Sequence, residues 1–325
     1  MAENLPSHIP VMRTEILNSF ASVLADSDLA EIRYFDGTFG RGGHLKAILE
    51  ADSRVTAVAF DQDPEAIIFG EKTYSEWVKN GRLKLFNLNF SDFEIERFGK
   101  FDLMLLDLGV SSPQLDQGHR GFSFYHDGPL DMRMNNESGA TAADIVNNYS
   151  EDELIRIFKE YGEIFKSFRV VRAIVHDRKA KPFTTTRELA GLIERVDGWH
   201  KKGFHPATQY FMALRLEVNQ ELQAIENAFE KLVLGLRLKG RIAVLTFHSL
   251  EDRIIKNKMR SLEQLGFPVK RKVIVPSREE ALQNPRARSA KLRVFEKGTK
   301  PEKRPGYFKD DEGDEDAEPT EPPNS

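Results

Sequence analysis

The sequence predicts an α/β protein with a mostly parallel, seven-stranded sheet that is interrupted by an inserted all-helical domain. Three observations support this fold class. Short apolar runs alternate with amphipathic stretches through the first third of the chain, as in a parallel sheet covered by helices. About a hundred residues without a convincing strand follow. Strand-like runs then return, so the helical part is an insertion within the sheet domain.

Seven apolar runs have the length and composition of strands. Four precede the insertion, at residues 32–35, 55–60, 83–88 and 101–106, and a fifth follows it at 242–247. The last two runs, 272–275 and 291–295, suit a closing β-pair.

Capping patterns mark helices inside the insertion. Ser150 with Glu153, and Thr185 with Glu188, have the spacing of capping boxes. After the insertion we expect one long helix over residues 207–236, with Gly240 as its stop signal.

The predicted domains follow from these elements. Residues 1–115 and 205–309 form the Rossmann-like domain, and residues 116–204 form the helical insertion, which we expect to recognise the substrate. Residues 310–325 are acidic, rich in proline and poor in apolar side chains, so we expect a disordered tail.

Composition limits the class of protein. The chain has no cysteine, which excludes disulfides and thiolate chemistry. The first 13 residues lack the basic leader and apolar core of a signal peptide, and no apolar run approaches the ~20 residues of a membrane span. We therefore expect a cytoplasmic protein.

Charge is unevenly distributed along the chain. Residues 241–309 contain 18 Lys and Arg against 7 Asp and Glu, whereas the net charge of the whole chain is −4. This pattern fits either a polyanionic partner or a solvated charged surface.

A glycine-rich loop follows the first predicted strand and precedes a helix. It reads DGTFGRGG from Asp36 to Gly43, and glycines there let the backbone approach a ligand at a helix N-terminus. Asp61 ends the second strand, where a carboxylate can accept hydrogen bonds from both ribose hydroxyls. Asp63 before Pro64 is instead a helix N-cap. The sequence therefore predicts a nucleotide-cofactor site.

The loop does not match the stricter signatures of other nucleotide-binding proteins. The dinucleotide pattern G-x-G-x-x-G fails because its last position falls on Leu45, and no P-loop Gly-Lys-Ser/Thr is present. The looser pattern, an acidic residue followed by glycines, is typical of class I methyltransferases. A dehydrogenase remains the alternative, which the copurifying cofactor would distinguish.

Seven separated motifs carry a more specific resemblance. They are DGTFGRGGH, DLGVSSPQLD, RGFSF, GPLDMRM, HPAT, FHSLEDR and NPRARS. In this order they resemble the ribosomal RNA small subunit methyltransferase H family (RsmH, also MraW) over residues 8–297. The resemblance implies a class I fold and S-adenosylmethionine-dependent methylation of the N4 amine of a cytidine in the decoding region of 16S rRNA, on the small ribosomal subunit.

The resemblance also implies particular site residues. The cofactor contacts are Gly42, Gly43, His44, Asp61, Phe90, Asp107 and Gln114. RNA contacts are expected at Arg286 and Arg288, where phosphate binding is the simplest use of a basic segment.

The amine of cytosine is a poor nucleophile, so the site must localise its lone pair. The turn Ser112-Pro113-Gln114, after the fourth strand, is the candidate for this task, and we expect the insertion to form the opposite wall. Asp107 or His248 is the candidate proton acceptor. The candidate stacking surface for the base is Phe122, Phe124 or Tyr125.

No metal is required. An inactive RNA-binding assembly factor is the second alternative function, although it would need no cofactor pocket.

Overall fold

The computed structural model describes residues 10–199 and 204–300. The predicted tail at 310–325, the first nine residues and the last part of the basic region lie outside the described residues. Within the described part, no helix is long and apolar enough to cross a bilayer.

Within the described residues, seven strands form one sheet in the order β3-β2-β1-β4-β5-β7-β6. The strands are β1 (Ile32–Asp36), β2 (Val55–Asp61), β3 (Leu83–Asn87), β4 (Phe101–Asp107), β5 (Leu236–Thr246), β6 (Gly266–Pro268) and β7 (Lys291–Lys297). Only the pairs that involve β7 are antiparallel. The predicted α/β class with a mostly parallel seven-stranded sheet is therefore confirmed.

Fourteen α-helices lie within the described residues. They are α1 (Arg13–Leu24), α2 (Gly43–Ala51), α3 (Pro64–Thr73), α4 (Ser75–Lys79), α5 (Ile95–Phe98), α6 (Ser112–Asp116), α7 (Ala142–Asn148), α8 (Glu151–Glu160), α9 (Phe168–Asp177), α10 (Thr186–Asp197), α11 (Ala207–Val218), α12 (Glu221–Leu234), α13 (Ser249–Ser261) and α14 (Arg278–Gln283).

Successive side chains of a strand point to opposite faces of the sheet. Because the central strands are apolar at successive positions, both faces of the sheet are apolar. In β4, Leu103 packs with α1 and α2 on one face, whereas Met104 packs with α12 and α13 on the other. A third apolar cluster fills the helical insertion and includes residues of α11. The layers leave the carboxyl ends of the parallel strands free to carry polar side chains.

The capping predictions inside the insertion are confirmed. The hydroxyls of Ser150 and Thr185 accept hydrogen bonds from the amides of Glu153 and Glu188, and each glutamate bonds back to its cap. Asp63 caps α3 without a reciprocal bond: its Oδ1 accepts from the amide of Glu65, and Pro64 is the first helical residue.

The long helix predicted over residues 207–236 is wrong. The helix is interrupted at Gln220, which has a φ of 49°, so that α11 and α12 are separate helices. The second of them, α12, ends at Leu234 with Gly235 as its cap. Gly240 lies inside β5 and not at a helix end. A Cβ there would meet the carbonyl oxygen of Asp102 at 3.0 Å, so glycine permits close strand packing.

The predicted strand at 272–275 is also wrong. Only Ile274 forms an isolated bridge to β7, whose antiparallel partner is instead β6. A three-residue strand ending in proline has no alternating pattern to identify it, so its pairing depends on the neighbouring β7.

Candidate active site

A cavity of about 1200 Å³ opens where the strand order reverses between β1 and β4. Open α/β sheets bind ligands beyond the carboxyl ends of their strands at this point. Segments that follow β1, β2 and β4 line the cavity. The topology thus brings together side chains that are far apart in sequence.

The glycine loop between β1 and α2 presents its backbone to this cavity. Gly40 and Gly43 line it, and Gly43 is the first residue of α2, so the unpaired amides of the helix start lie beside the cavity. Gly42 has a φ of 69°, and a Cβ there would meet ring atoms of Phe39 and Tyr74 at 2.6 Å. Gly42 therefore shapes the loop and is covered by these two rings.

Asp61, at the end of β2, fixes the glycine loop. Its Oδ2 accepts a hydrogen bond from the amide of Gly40 at 2.7 Å, and its Oδ1 accepts one from the amide of Asp63 at 2.8 Å. Burial raises the pKa of the Asp61 carboxyl to about 6, against the effect of these two hydrogen bonds. Each oxygen retains a lone pair for a ligand hydroxyl.

Asp107, at the end of β4, lies against His44 of α2. The Oδ2 of Asp107 is 3.5 Å from the Nε2 of His44, and the backbone amide of Asp107 donates to the hydroxyl of Thr38. Within the described residues, Asp107 Oδ1 and His44 Nε2 are buried without a hydrogen-bond partner. Two polar groups on the cavity wall are thus available to a polar ligand.

Gln114 is held by hydrogen bonds at both ends of its amide. Its Oε1 accepts from the amide of Ser111, and its Nε2 donates to Oδ2 of Asp63 at 2.9 Å. Ser112 begins α6 beside it and also lines the cavity. The turn after β4 is therefore tied to the residues after β2.

Phe90 begins a short 3₁₀ turn after β3 and is only 8% exposed. It lines the cavity and also belongs to the apolar cluster that includes Phe35. Its ring thus adds an apolar surface to the polar groups on this wall.

A second part of the lining comes from the break between α11 and α12 and from the segment after β5. Its side chains include Asn219, Glu221, Phe247 and Glu251. Of the insertion, only Asp116, Gln117 and Met134 reach the cavity within the described residues. The expectation that the insertion forms the opposite wall is therefore only partly met.

Comparison with known proteins identifies the family. Residues 6–298 match the model of the MraW methylase family. The chain belongs to the MraW methylase family. A ribosomal RNA small subunit methyltransferase H from Bdellovibrio bacteriovorus is 56% identical over 297 residues, which cover 91% of this chain and 90% of that protein. The protein of the same name from Idiomarina loihiensis is 40% identical, over 90% and 98% of the two chains.

Solved structures of similar proteins are more distant. A putative methyltransferase from Streptococcus mutans, in complex with SAH, has a TM-score of 0.44 at 12% identity and covers 88% of this chain and 97% of that one.

The cofactor of this methylase is S-adenosylmethionine, and the cavity fits it. The carboxylate of Asp61 suits ribose hydroxyls, the glycine loop admits a close backbone contact, and Phe90 offers an apolar face. The unpartnered Asp107 Oδ1 and His44 Nε2 are polar groups of the kind that a cofactor would satisfy. Within the described residues, no cluster of His, Asp and Glu has the arrangement of a metal site.

Cofactor affinity is expected to rise with pH through about 6. Ribose hydroxyls bond better to the ionised form of Asp61, whose pKa is raised to about 6. Below that pH, binding must release a proton, so lowering the pH from 7.5 to 5 should weaken binding roughly 10-fold. Titration calorimetry of S-adenosylhomocysteine across this range measures the effect.

The matched variant for this pH series is Asp61→Asn, which carries no titrating carboxyl. Burial also raises the pKa of Asp36 to about 6, so any slope that remains in Asp61→Asn reports Asp36. An identical slope in both proteins would assign the titration to another group.

His248 is not among the residues that line the cavity. Its Nδ1 accepts a long hydrogen bond, 3.4 Å, from the amide of Glu251 and caps α13. Glu251 belongs to the FHSLEDR motif but was not predicted as a site residue. It is fully buried, and its Oε2 accepts from the amides of Phe247 and His248. This pair shapes the turn after β5.

The two arginines predicted to bind RNA occupy different positions. Arg286 lines the cavity and donates to Oδ1 of Asp116 at 2.7 Å, joining the basic segment to α6. Arg288 donates to the carbonyl of Ala281 and lies outside the cavity. Of the two arginines, only Arg286 therefore lines the cavity.

None of the three aromatic candidates for base stacking lines the cavity. Phe122 is buried in the core of the insertion, Phe124 packs edge-on against Phe211, and Tyr125 is 74% exposed. Phe247, the first residue of the FHSLEDR motif, does line the cavity, although it was not among the predicted stacking residues.

Proposed function

We propose that this methylase transfers the methyl group of S-adenosylmethionine to the exocyclic N4 amine of a cytidine in the decoding region of 16S rRNA. We propose the small ribosomal subunit as its substrate and the cytoplasm as its location. The observation that carries this proposal is 56% identity, over nine-tenths of both chains, to a protein named ribosomal RNA small subunit methyltransferase H.

The shape of the cavity supports an acceptor as large as a nucleotide base. Its volume of about 1200 Å³ exceeds that of most single-ligand pockets, so a base fits beside the cofactor. A base in structured RNA must be turned out of its stack to enter such a site. The insertion, residues 116–204, then serves to recognise the RNA around that base.

When bound, the cofactor supplies an electrophilic methyl group. Asp61 would hold its ribose, Gly43 and His44 would meet it at the start of α2, and Gln114 and Phe90 would complete the contact surface, since all five residues line the cavity. These fixed contacts set the distance and direction between the methyl group and the acceptor, and such positioning supplies much of the rate.

Asp107 and Ser112 are the groups that we assign to the acceptor amine. Both line the cavity on the turn after β4. Asp107 is better placed than His248 to take the proton that the amine loses, because Asp107 lines the cavity and His248 does not. His248 is instead engaged in capping α13.

Mapping of modified nucleosides tests the proposal. Mass spectrometry of 16S rRNA from cells with and without this gene should find one N4-methylated cytidine that disappears with the gene. Purified protein should restore it on small subunits from the deleted strain. If deletion of the gene instead removed a methyl group from any position other than a cytidine amine, the proposed acceptor would be contradicted.

Arg286→Ala with Arg288→Ala is expected to weaken RNA binding and to flatten its salt dependence. Removal of one phosphate-binding cation lowers the salt slope by somewhat less than one unit. Because Arg286 lines the cavity and Arg288 does not, Arg286→Ala alone should account for most of the change. Binding to unmethylated small subunits at several salt concentrations measures it.

The control for this pair is Lys79→Ala. Lys79 ends α4, shortly before β3 begins, so it lies near the amino end of that strand, whereas the cavity lies at the carboxyl ends of the strands. An unchanged slope in the arginine variant would assign both arginines to structure alone.

A further inference from the structure

Arg120, the first residue of the RGFSF segment, is a buried cation with no role in the proposed reaction. Its side chain is only 4% exposed, and its Nη1 donates to Oδ2 of Asp63 at 2.9 Å. Glu65 lies 3.4 Å from the same nitrogen. Burying a guanidinium costs free energy unless its donors are satisfied. Arg120 therefore depends on Asp63 and Glu65 for its buried position.

The other end of the guanidinium joins a second sequence motif. Nη2 of Arg120 donates to the carbonyl oxygens of Arg133 and Met134, at 3.2 and 2.9 Å, at the end of GPLDMRM. The carbonyl of Arg120 accepts from the amide of Met132. Arg120 thus fastens two segments of the insertion to the residues after β2.

Asp63 also bonds to two residues that line the cavity, Gln114 and Asp61. Its Oδ2, which binds Arg120, also accepts from Nε2 of Gln114. Its backbone amide donates to Oδ1 of Asp61. Asp61 and Gln114 both line the cavity, whereas Arg120 and Asp63 do not.

We propose that Arg120 is a positioning residue for the cofactor, which holds Asp63 and, through it, fixes Asp61 and Gln114. The inserted segment then sets cofactor affinity without touching the cofactor. The inference rests on the proposed cofactor contacts of Asp61 and Gln114 and does not depend on the identity of the RNA acceptor.

The charge of Asp63 explains why an arginine is required. One carboxylate oxygen accepts from both Gln114 and Arg120, and the charge-assisted bond from the guanidinium holds that oxygen in place. Without Arg120, Asp63 retains only the amide of Gln114 and the amide of Glu65 as donors, and the carbonyls of the insertion lose their partner. The side-chain amide of Gln114 and the carboxylate of Asp61 are then no longer held in a single conformation.

Calorimetric titration of S-adenosylhomocysteine into purified full-length variants tests this proposal without any turnover. Arg120→Met should weaken binding roughly 10-fold, within the range found for residues that act through others. Arg120→Lys retains the charge and should weaken it less. Arg133→Met is the matched control, because it removes an ion pair with Asp131 in the same segment and leaves Asp63 untouched.

A double-mutant cycle with Gln114→Ala separates positioning from general stability. If Arg120 acts through Gln114, the combined variant should lose less affinity than the product of the two single losses. Losses that multiply fully, or an Arg120→Met protein that is folded and binds normally, would overturn the proposal.

A variant that fails to fold does not leave the question open. Thermal unfolding is measured for each protein, and if Arg120→Met is unfolded, Arg120→Lys and Asp63→Asn decide, since both retain hydrogen-bonding groups. Normal affinity in both would reject the proposal. Failure of the wild-type protein to bind S-adenosylhomocysteine would instead count against the cofactor contacts themselves.

Discussion

Asp107→Asn is expected to slow methyl transfer at least 100-fold while leaving RNA affinity nearly unchanged. The carboxylate lies at the end of β4 on the cavity wall, and one of its oxygens has no partner within the described residues. An amide of the same shape neither carries the charge nor accepts a proton, and loss of a general base typically costs about 10²–10⁴ in rate. The effect is on the transition state and not on binding of the polyanion.

Single-turnover transfer to unmethylated small subunits, measured beside subunit affinity, checks this result. Asp28→Asn is the control, because this exposed carboxylate lies before β1 at the opposite edge of the sheet. His248→Asn retains a good N-cap for α13 and should leave the rate within a few-fold. A slow His248 variant with a normal Asp107 variant would reverse the assignment of the proton acceptor.

Asp61→Asn is expected to weaken cofactor binding strongly. Removing one charge-assisted hydrogen bond costs about 1.5 to 3 kcal/mol, and a ribose presents two hydroxyls. Asp61→Ala should bind still more weakly, because it removes the acceptors of both backbone amides, of Gly40 and of Asp63, whereas Asp61→Asn keeps one carbonyl oxygen; the glycine loop is then loosened further. Removing a side chain here therefore affects the loop as well as the ligand.

Calorimetry with S-adenosylhomocysteine, at a pH above 7 where Asp61 is ionised, measures both variants. Glu71→Gln is the matched control, since this exposed carboxylate lies on α3, which follows the same strand. Unchanged affinity in a folded Asp61→Asn protein would remove Asp61 from the ribose site.

The elements that the sequence predicts well are those set by local pattern. β1, β2 and β4 are continuous apolar runs that end at a carboxylate, and the observed strands extend the predicted ones by one residue to include it. The capping boxes at Ser150 and Thr185 are also local, because the bonds join residues three apart. Such signals need no knowledge of the rest of the fold.

The errors occur where distant segments decide the backbone. The break at Gln220 interrupts an apolar stretch that by itself suits one helix, and Asn219 there bonds to the backbone of Met132 and Met134 in the insertion. The pairing of β7 with β6, in place of residues 272–275, likewise depends on contacts across the sheet. Helix and strand propensities are weak beside such tertiary contacts.

The fold class, the glycine loop, the family motifs and the carboxylates at the strand ends could all be read from the amino-acid sequence, because each pattern is made of residues close together in the chain. Only the tertiary structure decided which of them meet. It showed that His248 caps a helix, that Asn219 and Glu221 face the cavity, and that Arg120 reaches Asp63. The physical reason is that a side chain's partners are set by how distant segments pack, and periodicity in one segment carries no information about the segment it will contact.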